Sequence, residues 1–288
     1  MLVQLVLPTS NLEMASYWNH DVGPAWVAES QRLEERLEPF THALIKALEL
    51  NVGESVLDVG CGTGFSSKEF SNIVGNTGKV VGIDISKTMI EAARAKWRSN
   101  EKLPITFIES DVQTHFFQAG AFDTVASRFG VMFFDNPVKS FRNLHKALKR
   151  GGRFVFVCWQ EPRANPWFFI GVEELRGLME FPEAPPPNSP GPFGLSDISR
   201  TQGLLNSAGF SSIEVCPMTA DMPFPGSAED MVDHLLLIGP VASALREFKY
   251  SSRKVLAIHE RMTEVIREME SKQGLVTSAS VWIVRAWS

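Results

Sequence analysis

The stretch Val56-Leu57-Asp58-Val59-Gly60-Cys61-Gly62-Thr63-Gly64-Phe65 constrains the fold of this chain more than any other. A short apolar run reads as a buried strand. It ends in three glycines at alternate positions, which suit neither a strand nor a helix interior but let the backbone turn sharply and approach a ligand closely. Ser66–Val74 then reads as a helix. A strand that passes through a glycine loop into a helix opens a βαβ unit. Ligands in such units sit beyond the carboxyl end of the strand, at the amino end of the helix. The spacing is G-x-G-x-G, not the G-x-G-x-x-G of dinucleotide sites.

The alternation continues. Glu29–Leu50 carries a helical stripe of Leu33, Leu37, Phe40, Leu44 and Leu48. Lys79–Asp84, Ile105–Glu109, Phe122–Ser127 and Arg153–Gln160 read as further strands. Between them lie helices over Ser86–Arg98, with Ser86 as N-cap, and over Pro137–Leu148, opened by its proline. Strands alternating with helices imply right-handed crossovers and a mostly parallel, doubly wound α/β sheet covered on both faces. Glu161–Ser196 is irregular and proline-rich. Asp197–Ala208 resumes as a helix, Ser212–Thr219 as a sixth strand, Ala228–Gln273 as helix broken at Gly239-Pro240, and Ser278–Trp287 as a seventh strand. One domain is expected. Its core lies at about 38–160, 197–220 and 275–288, and a helical cap comes from about 1–37, 161–196 and 221–274.

Composition narrows the partners. The 288 residues carry a net charge of −5, which disfavours nucleic acid, since chains that grip phosphate backbones show a basic excess. Three scattered cysteines, Cys61, Cys158 and Cys216, make neither a disulfide framework nor a zinc pattern. No metal site is expected. The apolar run Met1–Leu7 lacks a basic start and a cleavage signal, and no apolar stretch is long enough to span a bilayer. The expectation is a cytoplasmic chain without membrane partners, with homodimerisation left open.

Four strand ends carry chemistry. Asp58 precedes the first glycine by two residues; it either holds an ammonium-bearing ligand or caps the neighbouring helix. Asp84 closes the second strand, where a carboxylate accepts both ribose hydroxyls. Ser110-Asp111-Val112-Gln113 follows the third strand, where an acid accepts from an adenine amino group. Ser127-Arg128-Phe129-Gly130 follows the fourth, facing the reacting end of a ligand.

VLDVGCGTG, VVGIDIS, ESDVQ, FDTVASRFGVMFF and LKRGGRFVFVCWQ, in this order and spacing, resemble the class I S-adenosylmethionine-dependent methyltransferases. The nearest likeness is to the ubiquinone/menaquinone-biosynthesis-like small-molecule enzymes. The likeness is firm over Tyr17 to Gln160 and holds in outline beyond. It implies a Rossmann-like seven-stranded methyltransferase fold, with S-adenosylmethionine as cofactor and S-adenosylhomocysteine as product. Gly60, Cys61, Gly62, Thr63 and Gly64 would line the methionine end. Asp84, Ile85 and Ser86 would lie at the ribose, Asp111, Val112 and Gln113 at the adenine, and Ser127, Arg128 and Phe129 at the amino-acid moiety. Tyr17 and Trp18 would lie over the cofactor.

Cys61 reads as a small packing residue, since no base accompanies it. His145 and His259 read as surface and His234 as packing within the cap, while His115 follows the adenine loop. His20 is the leading base candidate. Trp159, Trp167 and Phe168 read as core or as an acceptor wall. The chain has no [DNS]-P-P-[YFW] motif after the fourth strand, which argues against nucleobase or protein-amide methylation. Ten Met and twenty Phe suit a small hydrophobic acceptor. The resulting expectation is methyl transfer to a small, hydrophobic or aromatic metabolite. The alternatives are a non-catalytic S-adenosylmethionine-binding protein, a macromolecule methyltransferase, and a nicotinamide dehydrogenase, the last opposed by the glycine spacing.

Overall fold

A computed structural model describes residues 11–97 and 103–288. The segment Met1–Leu7 and the end of the Ser86–Arg98 helix lie outside the described residues.

Seven strands form one sheet in the order β3-β2-β1-β4-β5-β7-β6. β1 (Ser55–Val59), β2 (Lys79–Asp84), β3 (Ile105–Glu109), β4 (Phe122–Arg128) and β5 (Leu148–Trp159) are mutually parallel; β7 (Leu275–Trp287) runs antiparallel to both β5 and β6 (Ser211–Phe224). β1 is buried on both faces apart from its first residue, as expected of a central parallel strand covered by helices on each side. The bounds expected for β2 and β3 are those observed.

Helix α1 (Leu12–Ser16), a π-turn (Tyr17–Asp21) and α2 (Gly23–Ala28) lead into α3 (Ser30–Leu48). The stripe Leu33, Leu37, Phe40, Leu44 and Leu48 is buried against the sheet. α4 (Phe65–Val74), α5 (Lys87–Trp97) and α6 (Pro137–Ala147) are the crossovers. Asn136 caps α6 with its side chain on the Lys139 amide, and Ser86 Oγ accepts from the Met89 amide at 3.2 Å at the start of α5.

The later elements depart from expectation in length. β6 continues past Thr219 to Phe224 because β7 pairs with it along the whole way, from Ser211↔Trp287 to Phe224↔Leu275. The irregular segment after β5 holds the short α7 (Val172–Leu175) and is followed by α8 (Ile198–Ala208). The cap then forms α9 (Ala228–Leu237), α10 (Pro240–Phe248) and α11 (Ser252–Met269), with a second break at Lys249 in left-handed conformation. The cap owns a hydrophobic cluster around Leu175, Met231, Val241, Ile258, Met262 and Leu275, separate from the cluster around the sheet.

Candidate active site

The carboxyl ends of β1, β2, β3 and β4 open into one cavity, closed from above by α1–α3, the segment after β5, and α9. Gly60, Cys61, Gly62 and Thr63 form its floor, with Asp84 and Ile85 after β2, Ser110, Asp111 and Val112 after β3, and Arg128 and Phe129 at the end of β4.

Two glycines of this loop, both at positive φ, differ in what surrounds them. Gly60 has φ +66°, and a Cβ there would meet the Gly130 Cα at 2.6 Å, so the loops after β1 and β4 touch backbone to backbone. Gly62, at φ +54°, has open space where its Cβ would lie. Asp84 stiffens the loop: Oδ2 accepts from the Gly62 amide and Oδ1 from the Ser86 amide, both at 2.9 Å. Burial raises its pKa from the ordinary carboxylate value against those two hydrogen bonds.

Among the described residues two buried carboxylate oxygens are left without partners. Asp111 Oδ1 accepts from the Gln113 amide at 2.8 Å, while Oδ2, on the cavity wall, is buried and unpaired among the described residues. Asp58 has no exposure; its Oδ2 accepts from Ser66 Oγ at 2.7 Å and Ser67 Oγ at 2.6 Å, and Oδ1 is unpaired. Asp58 does not line the cavity, and its observed bonds are to the serine hydroxyls in the first turn of α4, not to the backbone amides that a cap would hold. Burial pushes its carboxyl up to about 6. A buried acceptor without a donor costs about 1–3 kcal/mol. The unpaired Asp111 oxygen after β3, the Asp84 carboxylate at the end of β2 and an open cradle at Gly62 together fit a ligand that brings several N–H and O–H donors.

Several expected residues lie elsewhere. Gly64 is part of the turn but not of the wall. Ser86 caps α5 and donates to the Trp18 carbonyl at 2.8 Å. Gln113 is buried and accepts from the Asn136 amide, and Ser127 donates to the Val59 carbonyl at 2.7 Å. The π-turn faces Trp18 inward, against Trp26 and Phe133, whereas Tyr17 does not line the cavity and His20 is exposed to solvent. His115 bonds Ser110 Oγ at 3.0 Å and also stands off the wall.

The upper half of the cavity is aromatic. Phe129, a non-glycine residue at φ +63°, stacks on Trp159 with centroids 4.0 Å apart, and Trp159 meets Trp167, which meets Phe168. Such backbone strain costs about 1–3 kcal/mol and persists where the surroundings hold it. Here the Phe129 amide donates to the Val157 carbonyl at 3.0 Å. Asn165, without exposure, fixes the segment that carries Trp167: it bonds the Gln160 and Ser280 carbonyls, the Ser280 amide and the Trp167 indole. Arg128 forms a two-pronged ion pair with Glu34 and donates to Thr41 Oγ1 at 2.7 Å, which ties α3 to the end of β4.

The sequence reading missed the contribution of α3 and α9. Leu33, Glu34, Arg36 and Leu37 line the cavity from α3, and His234 and Leu235 from α9. His234 is the only histidine on the wall among the described residues. Its Nδ1 lies 2.9 Å from Glu29 Oε2 and its Nε2 3.1 Å from Arg36 Nη1. A guanidinium only donates, so Nε2 accepts and Nδ1 carries the proton that goes to Glu29. Burial, with Arg36 beside it, pushes the imidazole down to about 4, so it is neutral. Among the described residues no cluster of three or more His, Cys, Asp or Glu is placed to hold a metal, and no helix is long and apolar enough to cross a membrane.

The family model "Methyltransf_11: Methyltransferase domain" matches residues 57–156, the span from β1 to β5. A demethylmenaquinone methyltransferase of Lactococcus lactis is 29% identical over 174 residues, which cover 56% of this chain and 68% of that one. A ubiquinone/menaquinone biosynthesis C-methyltransferase UbiE of Escherichia coli is 31% identical over 115 residues, 40% of this chain and 46% of the relative, so the match spans less than half of that enzyme. Among solved structures, the YcgJ protein from Bacillus subtilis superposes with a TM-score of 0.54 at 17% identity, covering 87% of this chain and 98% of its own, which speaks to the fold alone.

Proposed function

From a chain that belongs to the class I S-adenosylmethionine-dependent methyltransferases, we propose an enzyme that methylates a small apolar, aromatic-compatible metabolite enclosed between the sheet and the cap. The observation that carries the proposal is the continuity of the cavity. One hollow runs from the polar strand ends of β1–β3 to a wall of Trp18, Phe133, Trp159, Trp167 and Phe168. The names of the lactococcal and E. coli relatives point to quinone-like acceptors for those proteins, in keeping with an apolar wall here.

S-adenosylmethionine supplies an electrophilic methyl group on a sulfonium that is already a good leaving group. The work left to the protein is binding, alignment and exclusion of water. Asp84 is proposed to accept from the ribose hydroxyls, Asp111 Oδ2 from the adenine amino group, and the Gly60–Thr63 backbone to pass along the methionine moiety. Asp58 holds the first turn of α4 through Ser66 and Ser67 and so sets the loop's shape. Trp18 closes the site from above. No proton is assigned to His20, which is exposed.

The test is incubation of the purified protein with S-adenosylmethionine and a panel of apolar phenols, quinols and aromatic acids. Release of S-adenosylhomocysteine with a product heavier by one methylene supports the proposal. Cofactor binding without product over the whole panel favours a non-catalytic cofactor-binding protein instead.

A further inference from the structure

Arg36 is out of balance with its surroundings. It lies on the cavity-facing side of α3 and is only 4% exposed. Two partly buried arginines here are neutralised: Arg128 pairs with Glu34, and Arg153 with Glu54. Arg36 has no carboxylate within ion-pair distance among the described residues. Its one hydrogen bond there is from Nη1 to neutral His234, and Nε is buried without a partner. Glu29, the nearest acid in the array, is engaged by His234 and by Arg32 at 2.7 Å. The guanidinium carbon lies 5.7 Å from the Trp167 ring centroid and 5.4 Å from that of Phe224, so aromatic faces hold the cation flat. Burial alone lowers its pKa, to about 10, which leaves it charged at neutral pH.

An isolated buried charge is expensive, and removal of one partner of a buried pair is among the costlier changes in a protein. Here the missing partner belongs inside the cavity. We propose that Arg36 receives a carboxylate of the acceptor, so that the substrate class is an apolar organic acid. The proposal rests on the acceptor cavity described above and narrows its occupant. His234, with its tautomer fixed by Glu29, takes Nη1 and leaves the Nε edge of the fork without a protein partner among the described residues. That is the edge which binds a carboxylate through two parallel N–H···O bonds. The handle sits beside Phe224 of β6, at the sheet edge opposite Asp84 and Asp111. Trp18, Trp159 and Trp167 supply the apolar body of the site between the two ends.

The experiment measures binding, not turnover. The protein is saturated with S-adenosylhomocysteine, and calorimetry compares 2-naphthoate with 2-naphthamide and decanoate with decanamide. At least one acid is expected to bind tenfold or more tightly than its amide. Arg36→Gln is expected to bring that acid down to the affinity of its amide, and Arg36→Lys to keep only part of the preference. In ligand-free protein Arg36→Met is expected to raise Tm, because an unpaired buried charge is gone. Acids that bind no better than their amides in both pairs, absence of binding included, overturn the proposal, as does a preference that survives in Arg36→Gln. If Arg36→Gln does not fold, the acid–amide ratio in the unaltered protein, together with Arg36→Met, decides. The two readings fail separately. Acid preference without methyl transfer removes the proposed function and keeps the carboxylate site; methylation of neutral apolar compounds without acid preference does the reverse.

Discussion

Replacement of Asp58 by Asn tests how the buried carboxylate is held. In the folded protein burial raises its pKa from 3.8 to about 6, against the two serine hydrogen bonds and the pull of Arg128. Between those values the folded state binds more protons at this site than the unfolded chain does. Stability from this group is therefore fully present below pH 3.8 and is lost as pH rises through 6. A shift of about two units corresponds to about 3 kcal/mol. Asn keeps an oxygen for Ser66 and Ser67 and cannot ionise. The asparagine variant should gain on the parent by about 1.4 kcal/mol between pH 5 and pH 8, because pH 5 already lies midway between 3.8 and 6 and the rest of the loss falls below it. His234 contributes a slope of the opposite sign over nearby pH, since its pKa is depressed to about 4, but it is present in both proteins and cancels in the difference. Urea unfolding of both proteins at pH 5, 6, 7 and 8 gives the answer. Parallel stability profiles would refute the claim that Asp58 is protonated on folding.

Other expected outcomes follow from the same geometry. Asp84→Ala removes the acceptor for the Gly62 and Ser86 amides and the proposed ribose contact; S-adenosylhomocysteine affinity should fall at least tenfold in calorimetry while circular dichroism stays native, and unchanged affinity would exclude the role. Gly60→Ala drives a methyl into the Gly130 backbone and should fail to fold or lose many degrees of Tm. Gly62→Ala, with open space around it, should cost only the roughly 1–2 kcal/mol of its left-handed backbone and show its main defect in cofactor binding. Trp18→Ala should lower turnover per folded molecule more than Tm; a loss of Tm with normal turnover would reduce Trp18 to a packing residue between Trp26 and Phe133.

The parts of the site legible in the sequence are those written locally. The glycine loop, Asp84 and Asp111 each sit at a strand end whose position follows from hydrophobic patterning within ten residues. Arg36 and His234 were not legible, because they meet from positions 198 residues apart. Arg36 lies within a helix whose leucine stripe already explained its burial, and His234 precedes three leucines that read as packing. His20, the leading base candidate, falls in the π-turn of residues Tyr17–Asp21 and stands in solvent, which no local pattern announces. The full length of β6 and β7 was also hidden, since the ends of this hairpin are set by long-range pairing; Pro217 and Pro223 both lie in the outermost strand of the sheet, where an unpaired side tolerates proline.

That overlong hairpin has a mechanical consequence. Met222 and Val281 belong to the sheet's cluster and Phe224 and Leu275 to the cap's, so the β6–β7 ribbon leaves one packed body and enters the other without a break in its ladder. A two-stranded ribbon twists more readily than it stretches or shears. The cap is thus mounted on a torsion bar, and the cavity lies in the seam beside it. Rotation about that bar would widen the seam and admit an acceptor while each cluster stays intact. Substrate traffic would then be governed by the stiffness of two strands, not by the wandering of a loop.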